Sequence, residues 1–309
     1  MKIFRFGLPL YKKIIENFSQ GKGYGKNASV KKILHFFDLL FRSNDVNVHG
    51  HKMFLTKKGF EEYSTQGIYG ELDTLAVERL IKLGDNVVDV GAAIGYFTLI
   101  FARLVGINGM VFSFEPKTDR YEVLLKNIKV NNYSNIKTEK KAIMENNKKI
   151  TFFSRNDGIA GLRYKDDVES IQQDLDGSKH KIPVEVITVE LDDYLKKIDI
   201  IEDISFIKID VDGPELLVLQ GSKSLLKNKN LKILMEWDRA LSKESGCNPS
   251  DMIDILIENE FKMFYPDFEN NKYYQVSKDE LLAMPEKINQ TINMLFLKDS
   301  SILERNGLI

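Results

Sequence analysis

Short continuous apolar runs alternate along this chain with stretches where apolar residues recur every three or four positions. The central run, Val87-Val88-Asp89-Val90, passes directly into Gly91-Ala92-Ala93-Ile94-Gly95-Tyr96, and residues 97–105 are then almost wholly apolar. That order predicts a strand buried on both faces, a tight turn and a helix start. Residues 109–114 read as the next strand, ending at Glu115-Pro116. A helix follows with Tyr121, Leu124, Leu125 and Ile128 on one face and stops at Asn131-Asn132; a third strand is predicted over 136–143. Further strands are expected at 204–211, 231–237, 261–265 and 292–297. Pro214-Glu215 opens one intervening helix, Asn248-Pro249-Ser250-Asp251 caps a second, and Ser277 with Glu280 forms a capping box for a third. Upstream, residues 71–83 predict a helix with Leu72, Leu75, Ala76 and Leu80 on one side, ending at Gly84-Asp85. Strands and helices in alternation predict a doubly wound α/β sheet, mostly parallel, with helices on both faces and a terminal antiparallel strand.

Two regions break the alternation. Runs at 149–153 and 182–186 look like a hairpin, and the polar insert at about 154–182, carrying Asn156-Asp157-Gly158, Asp166-Asp167 and His180, is expected to be a substrate lid. Residues 1–66 form a separate, mainly helical extension ahead of a domain spanning 67–309. Within residues 1–60, twelve Lys/Arg face three Asp/Glu, and Val30, Ile33, Leu34, Phe37, Leu40 and Phe41 fall at helical spacing. A helix docked on the larger domain with a solvated basic face is preferred. The alternative is a basic surface resting on an anionic membrane or a lipid-linked substrate. His49, His51 and residues 52–55 read as a short strand before a turn, with both histidines on one strand face, and an exposed pair is expected there rather than a metal site.

Over the whole 309 residues the formal charge is only −1, so nucleic acid is not expected as a partner. The single cysteine, Cys247, permits no intrachain disulfide and suits a reducing compartment. No apolar run reaches the ~18 residues needed to span a membrane, and no secretory signal is evident. A cytoplasmic protein is expected, with peripheral contact at the inner membrane face if the basic extension meets lipid. The oligomeric state is left open.

The glycine turn carries the chemistry. A first glycine lets backbone approach a ligand, the helix start offers free N–H groups, and an acidic residue ending the next strand can accept from both ribose hydroxyls. Gly95-Tyr96-Phe97 lacks the Lys-Ser/Thr of a phosphate-cradling loop, and Ala93 occupies the place of the second glycine of a dinucleotide fingerprint. A nucleoside without phosphate therefore fits better, and S-adenosylmethionine is the expected cofactor. Its amino-acid end would lie near Asp89, Gly91, Ala92, Gly95 and Tyr96, its ribose on Glu115 and Pro116, and its adenine near Lys141 and Ala142. Asp210, Asp212 and Glu236 end neighbouring strands on the same edge.

Taken together, Asp89-Val-Gly91-Ala-Ala-Ile-Gly95-Tyr-Phe-Thr98, Phe114-Glu115-Pro116, Leu191-Asp192-Asp193-Tyr194, Phe206-Ile-Lys208-Ile-Asp210-Val-Asp212-Gly213 and Glu236-Trp237 resemble the FkbM-type S-adenosylmethionine-dependent methyltransferases. The likeness runs over roughly residues 67–298, with Gly67-Ile-Tyr69-Gly70-Glu71 similar to the family's segment ahead of the glycine turn. It implies a class I methyltransferase (Rossmann-like) fold of seven strands, and O-methylation of a hydroxyl on a sugar, glycan, glycolipid or related metabolite. Family members carry asparagine where this chain has Ala93, and Glu-Gly-Ala where it has Asp212-Gly213-Pro214. The first departure removes a polar group near the cofactor's amino-acid end; the second shortens a carboxylate beside the reacting centre.

Methyl transfer to a hydroxyl needs the acceptor oxygen aligned in a dry pocket and a group to take its proton. Asp210 is the first candidate, with cofactor orientation as its other role; Asp212 and Glu236 come next. These three could ligate magnesium, but a carboxylate base suffices and no metal is expected. Two rival readings are a nicotinamide-dependent oxidoreductase and a non-catalytic nucleoside-binding module of the same fold.

Overall fold

The apolar run ahead of the first glycine forms the middle of a sheet, buried from both sides by the helices that the intervening sequence supplies. The computed structural model describes residues 45–55, 70–155, 181–285 and 292–309. The basic helical stripe and most of the expected lid insert lie outside these residues. Two compact units divide the chain, residues 1–69 and 70–309.

In the first unit, β1 (Asp45–Val48) and β2 (His51–Phe54) form an antiparallel hairpin. His49 and Gly50, with φ of 47° and 82°, make the two-residue turn. The expected exposed histidine pair is corrected here: His49 lies in the turn itself, whereas His51 begins the strand and is buried.

The second unit opens with α1 (Glu71–Leu80), β3 (Asn86–Val90), α2 (Tyr96–Val105), β4 (Met110–Phe114), α3 (Thr118–Val130) and β5 (Ile136–Glu139). After β6 (Ala142–Ile143), β7 (Lys149–Arg155) and β8 (Lys181–Val189) come α4 (Leu191–Lys197), β9 (Ile204–Ile209), α5 (Glu215–Gln220) and β10 (Lys232–Trp237). The chain closes with α6 (Arg239–Glu244), α7 (Pro249–Glu258), β11 (Lys262–Asp267), β12 (Lys272–Val276), α8 (Lys278–Ala283), β13 (Ile292–Leu297) and α9 (Ser301–Arg305). An eight-stranded sheet runs β12-β11-β13-β10-β9-β3-β4-β5, and β6, β8 and β7 form a three-stranded sheet beside it. Strands β10, β9, β3, β4 and β5 are parallel, while β13 is antiparallel to both β10 and β11. This is the class I methyltransferase arrangement, with β12 added as an eighth strand at the edge. Because strand order reverses around β3 and β9, a crevice opens above their carboxyl ends.

Local differences from the sequence reading have local causes. The third strand breaks at Lys140-Lys141: β5 stops at Glu139, and Ala142–Ile143 cross to pair with Thr188 and Val189 of β8. Helix α1 ends three residues early because the Lys82 N–H bonds the Asp85 carboxylate at 2.9 Å, leaving Leu83 exposed. On α3 Leu124 is buried as expected, but Leu125 is exposed and Asn127 is buried instead; its amide donates to the Ile94 carbonyl at 2.8 Å. Asn135 similarly ties the end of α2 by donating to the Ala102 and Gly106 carbonyls. The Asn248 cap and the Ser277–Glu280 capping box form as the sequence indicates.

Asp192, from the Leu-Asp-Asp-Tyr segment, has a structural task. Its buried carboxylate accepts the Ser224 N–H at 2.5 Å and the Leu225 N–H at 3.0 Å, anchoring α4 to the turn after α5. Asp192→Ala strands two buried donors, and we expect it to cost roughly 3 kcal/mol of stability by urea unfolding. A loss below about 0.5 kcal/mol, within the usual range for surface changes, would contradict this role.

Candidate active site

The site is built where β3, β4, β9 and β10 end side by side. Gly91 leaves β3 with φ 83°, and a Cβ there would stand 1.8 Å from the Asp210 carbonyl oxygen at the end of β9. Only glycine permits that approach. The Gly91 and Ala92 N–H groups both donate to the Phe114 carbonyl at 3.0 Å, fixing the turn to the end of β4. Ala93 follows with φ 48°, in the left-handed region that asparagine tolerates better than alanine.

Glu115 is 2% exposed, yet borders the crevice. Its Oε2 accepts the Ala93 N–H at 2.9 Å and its Oε1 the Lys117 N–H at 2.8 Å. Burial pushes its pKa up, against the pull of the Arg120 charge and these two N–H groups. Each carboxylate oxygen keeps a second lone pair, so the pair of oxygens can still accept from two neighbouring hydroxyls. Pro116, Ala142, Ile143 and Met144 give the crevice its apolar walls; Lys117, Arg120 and Lys141 add cations. Burial lowers the pKa of Lys117 to about 8.

Beneath the turn lies a buried ion network. Lys208 is 2% exposed and donates to Asp210 Oδ2 at 2.5 Å, with its ammonium 4.8 Å from the centre of the Phe97 ring. Burial opposes its charge, but Asp210, Asp89 and Glu236 outweigh that and its pKa is raised. Asp89, 1% exposed, accepts the Thr98 hydroxyl at 2.5 Å. Burial raises its pKa against the favourable charge of Lys208.

A last group of carboxylates adjoins the crevice. Asp210, Asp212 and Glu236 each offer an oxygen, all within 4.8 Å of one another. Glu236 is 7% exposed and its Oε2 has no hydrogen-bond partner. Burial, then the charges of Asp210, Glu215 and Asp212, push its pKa well up. Asp212, with φ 60°, is raised to about 6 by burial and by Asp210, while Arg120, 4.0 Å away, pulls it down. Glu215 is raised to about 7 by burial although it accepts the Val211 and Gly213 N–H groups. Opposite Glu236 on β13 stands Asn293, whose amide donates to Asp73 at 2.8 Å; burial raises Asp73 to about 6.

The crevice thus brings together Gly91, Glu115, Pro116, Lys141, Ala142, Asp210 and Asp212, with Glu236 adjoining through the carboxylate cluster. Four residues expected to touch the cofactor do not line the crevice. Asp89 is spent on Thr98 and Lys208, and Ala92 and Gly95 shape the turn. Tyr96 points its hydroxyl to Thr74, 3.0 Å away. Lys117, Arg120 and Met144 were not anticipated; Lys117 and Arg120 sit two and five residues past Glu115, so their spacing alone could have flagged them. Cys247 is buried, with its thiol pushed up to about 11 by burial, which agrees with an inert side chain.

A model of the methyltransferase FkbM domain matches residues 89–269, more than half of the chain. The chain belongs to the FkbM methyltransferase family. Methyltransferase 1 of Beauveria bassiana (strain ARSEF 2860) is 26% identical over 145 residues, 44% of this chain and 57% of that protein, so the match spans little more than half of this relative's length. Among solved structures, the FkbM methyltransferase of Methylobacillus flagellatus KT is similar at a TM-score of 0.39 and 13% identity, over 94% of this chain and 58% of that one. A S-adenosylmethionine-dependent O-methyltransferase of Thermotoga maritima gives 0.39 and 12% identity, over 85% and 81% of the two chains.

S-adenosylmethionine is the cofactor of this FkbM chain, and the residues present fit it. Glu115 retains acceptor capacity for a ribose diol, apolar residues flank a space for a flat ring, and Gly91 itself lines the crevice. Glu115→Gln halves the acceptor oxygens and removes the charge. We expect it to weaken S-adenosylhomocysteine binding by about 1.5–3 kcal/mol in calorimetry. Wild-type affinity in this variant would refute the ribose assignment.

Proposed function

We propose that this FkbM methyltransferase methylates a hydroxyl oxygen on a sugar, glycan, glycolipid or related metabolite. The observation that carries the reading is the carboxylate cluster beside the crevice, with Glu236 Oε2 buried and unbonded. S-adenosylmethionine, when bound, supplies an electrophilic methyl group on a sulfonium. The chain's own residues must then hold the acceptor in line, exclude water and take up a proton.

Among the three carboxylates, Glu236 suits the proton best. Asp210 accepts from Lys208, which fixes its direction, so it serves orientation. Glu236 has no such partner: its Oε2 is buried and unbonded among the described residues, and can take up a proton. Asp212 lies on the more open side, with a 35% exposed side chain, where proton exchange with solvent is easy. Asn293, opposite Glu236 on β13, keeps a side-chain oxygen without a partner among the described residues, which can accept from an acceptor hydroxyl.

Among the described residues no helix is long and apolar enough to cross a membrane. A lipid-linked acceptor would instead be met through the basic segment in residues 1–60.

The test is transfer of radiolabelled methyl from S-adenosylmethionine to glycan, glycolipid and small-molecule fractions, followed by mass spectrometry of the product. A base-stable methyl ether is expected, and Glu236→Gln should lower kcat by about 10²–10⁴-fold, the usual worth of a general base, with S-adenosylhomocysteine affinity kept. Methylation on nitrogen or carbon, or binding without transfer to any fraction, would overturn the reading.

A further inference from the structure

The carboxylate cluster contains a buried oxygen that no described residue satisfies. Asp210, Asp212 and Glu236 converge to within 4.8 Å. Lys208 is the buried cation beneath them, but Asp89 shares its charge with Asp210. Arg120 approaches Asp212 only to 4.0 Å, and its charge also acts on Glu115. Glu215 adds a further buried carboxylate whose partners are backbone N–H groups. Lys117 also acts on Asp212. Glu236, 7% exposed, has an oxygen that bonds nothing among the described residues. A buried carboxylate in that position calls for a proton, a substrate donor or a metal ion.

The donor geometry selects among these. Oxygens sharing one octahedral cation at about 2.1 Å stand about 3 Å apart along an edge and about 4 Å apart across the centre. A spread of at most 4.8 Å is closed by small side-chain rotations. All three donors are carboxylates, the set that hard divalent cations prefer and that zinc or copper sites seldom use alone. Asp212 reaches the cluster from a left-handed backbone conformation, φ 60°, which aspartate adopts more readily than most side chains.

We infer that Asp210, Asp212 and Glu236 hold one divalent hard cation, of magnesium or manganese chemistry, on the acceptor side of the crevice. Three protein oxygens leave coordination positions for the acceptor, so the fitting substrate presents two adjacent oxygens, as a vicinal diol does. A cation held there would lower the pKa of a hydroxyl that it polarised, and the proton would pass to the Glu236 or Asp212 oxygen not engaged by the ion, and from Asp212 to solvent. Ion binding itself stands on the geometry; only its part in turnover rests on the O-methylation reading above.

The experiment is titration of Mn²⁺ into the chelator-treated full chain, read by calorimetry and by electron paramagnetic resonance, with and without S-adenosylhomocysteine. One Mn²⁺ per chain is expected, competed by Mg²⁺, with affinity falling at least tenfold in Glu236→Gln and in Asp212→Asn. Asp251→Asn, at the exposed start of α7, should bind as wild type. Urea unfolding of each variant confirms the fold, and Glu236→Gln, which removes an unpaired buried charge, is the variant expected to keep it. Absence of saturable Mn²⁺ binding, or binding untouched by both cluster variants, overturns the site. Loss of turnover in Glu236→Gln without any Mn²⁺ binding would leave the carboxylate base standing and discard the cation. Specific Mn²⁺ binding with no methylated hydroxyl would keep the cation and discard the O-methylation reading.

Discussion

A single buried ammonium holds the active edge together. Lys208, on β9, faces Asp89 of β3 and Asp210 at its own strand end, so two carboxylates on adjacent parallel strands can approach without repelling. Charges this deep are costly unless mutually paired, and removing one partner from such a group typically costs about 3–5 kcal/mol. That pairing lets the Gly91 turn pass against the Asp210 carbonyl, which in turn puts the Ala93 N–H on Glu115. The crevice and the carboxylate cluster are consequently two sides of one network.

The network divides labour among carboxylates of the same chemistry by their surroundings. Glu115 is bonded by two backbone N–H groups, which fix the direction of its carboxylate. Asp89 is locked by Thr98 beneath the turn. Glu236 is left without a hydrogen-bond partner on Oε2 among the described residues. Asp73, reached from α1 and bonded by Tyr273 and Asn293, extends this polar line towards β13.

What the sequence made legible were features set by short-range rules. The buried run at 87–90, the glycine turn, the caps at Asn248 and Ser277 and the acidic end of β4 all depend on neighbours in the chain. Asp210, Asp212 and Glu236 could be placed on one edge because each ends a strand, yet their convergence needed the register of β9 against β10. Less visible were polar residues buried by long-range partners. Asn127 and Asn135 look like surface amides but close backbone carbonyls 33 residues away. Asp89 resembled a ligand contact because it precedes the turn, whereas Thr98, nine residues on, takes its oxygen. Strand β12 escaped notice because its alternation rests on a single buried aromatic, Tyr273, packed beneath the chain's last residues.

The central claim is that the Gly91 bend and Glu115 hold an adenosine bearing a sulfur and no diphosphate. Calorimetric titration of the wild-type chain with S-adenosylhomocysteine and, separately, with NAD tests it most directly. Saturable one-to-one binding of S-adenosylhomocysteine with no heat from NAD is the predicted result; binding of NAD in its place would contradict the account.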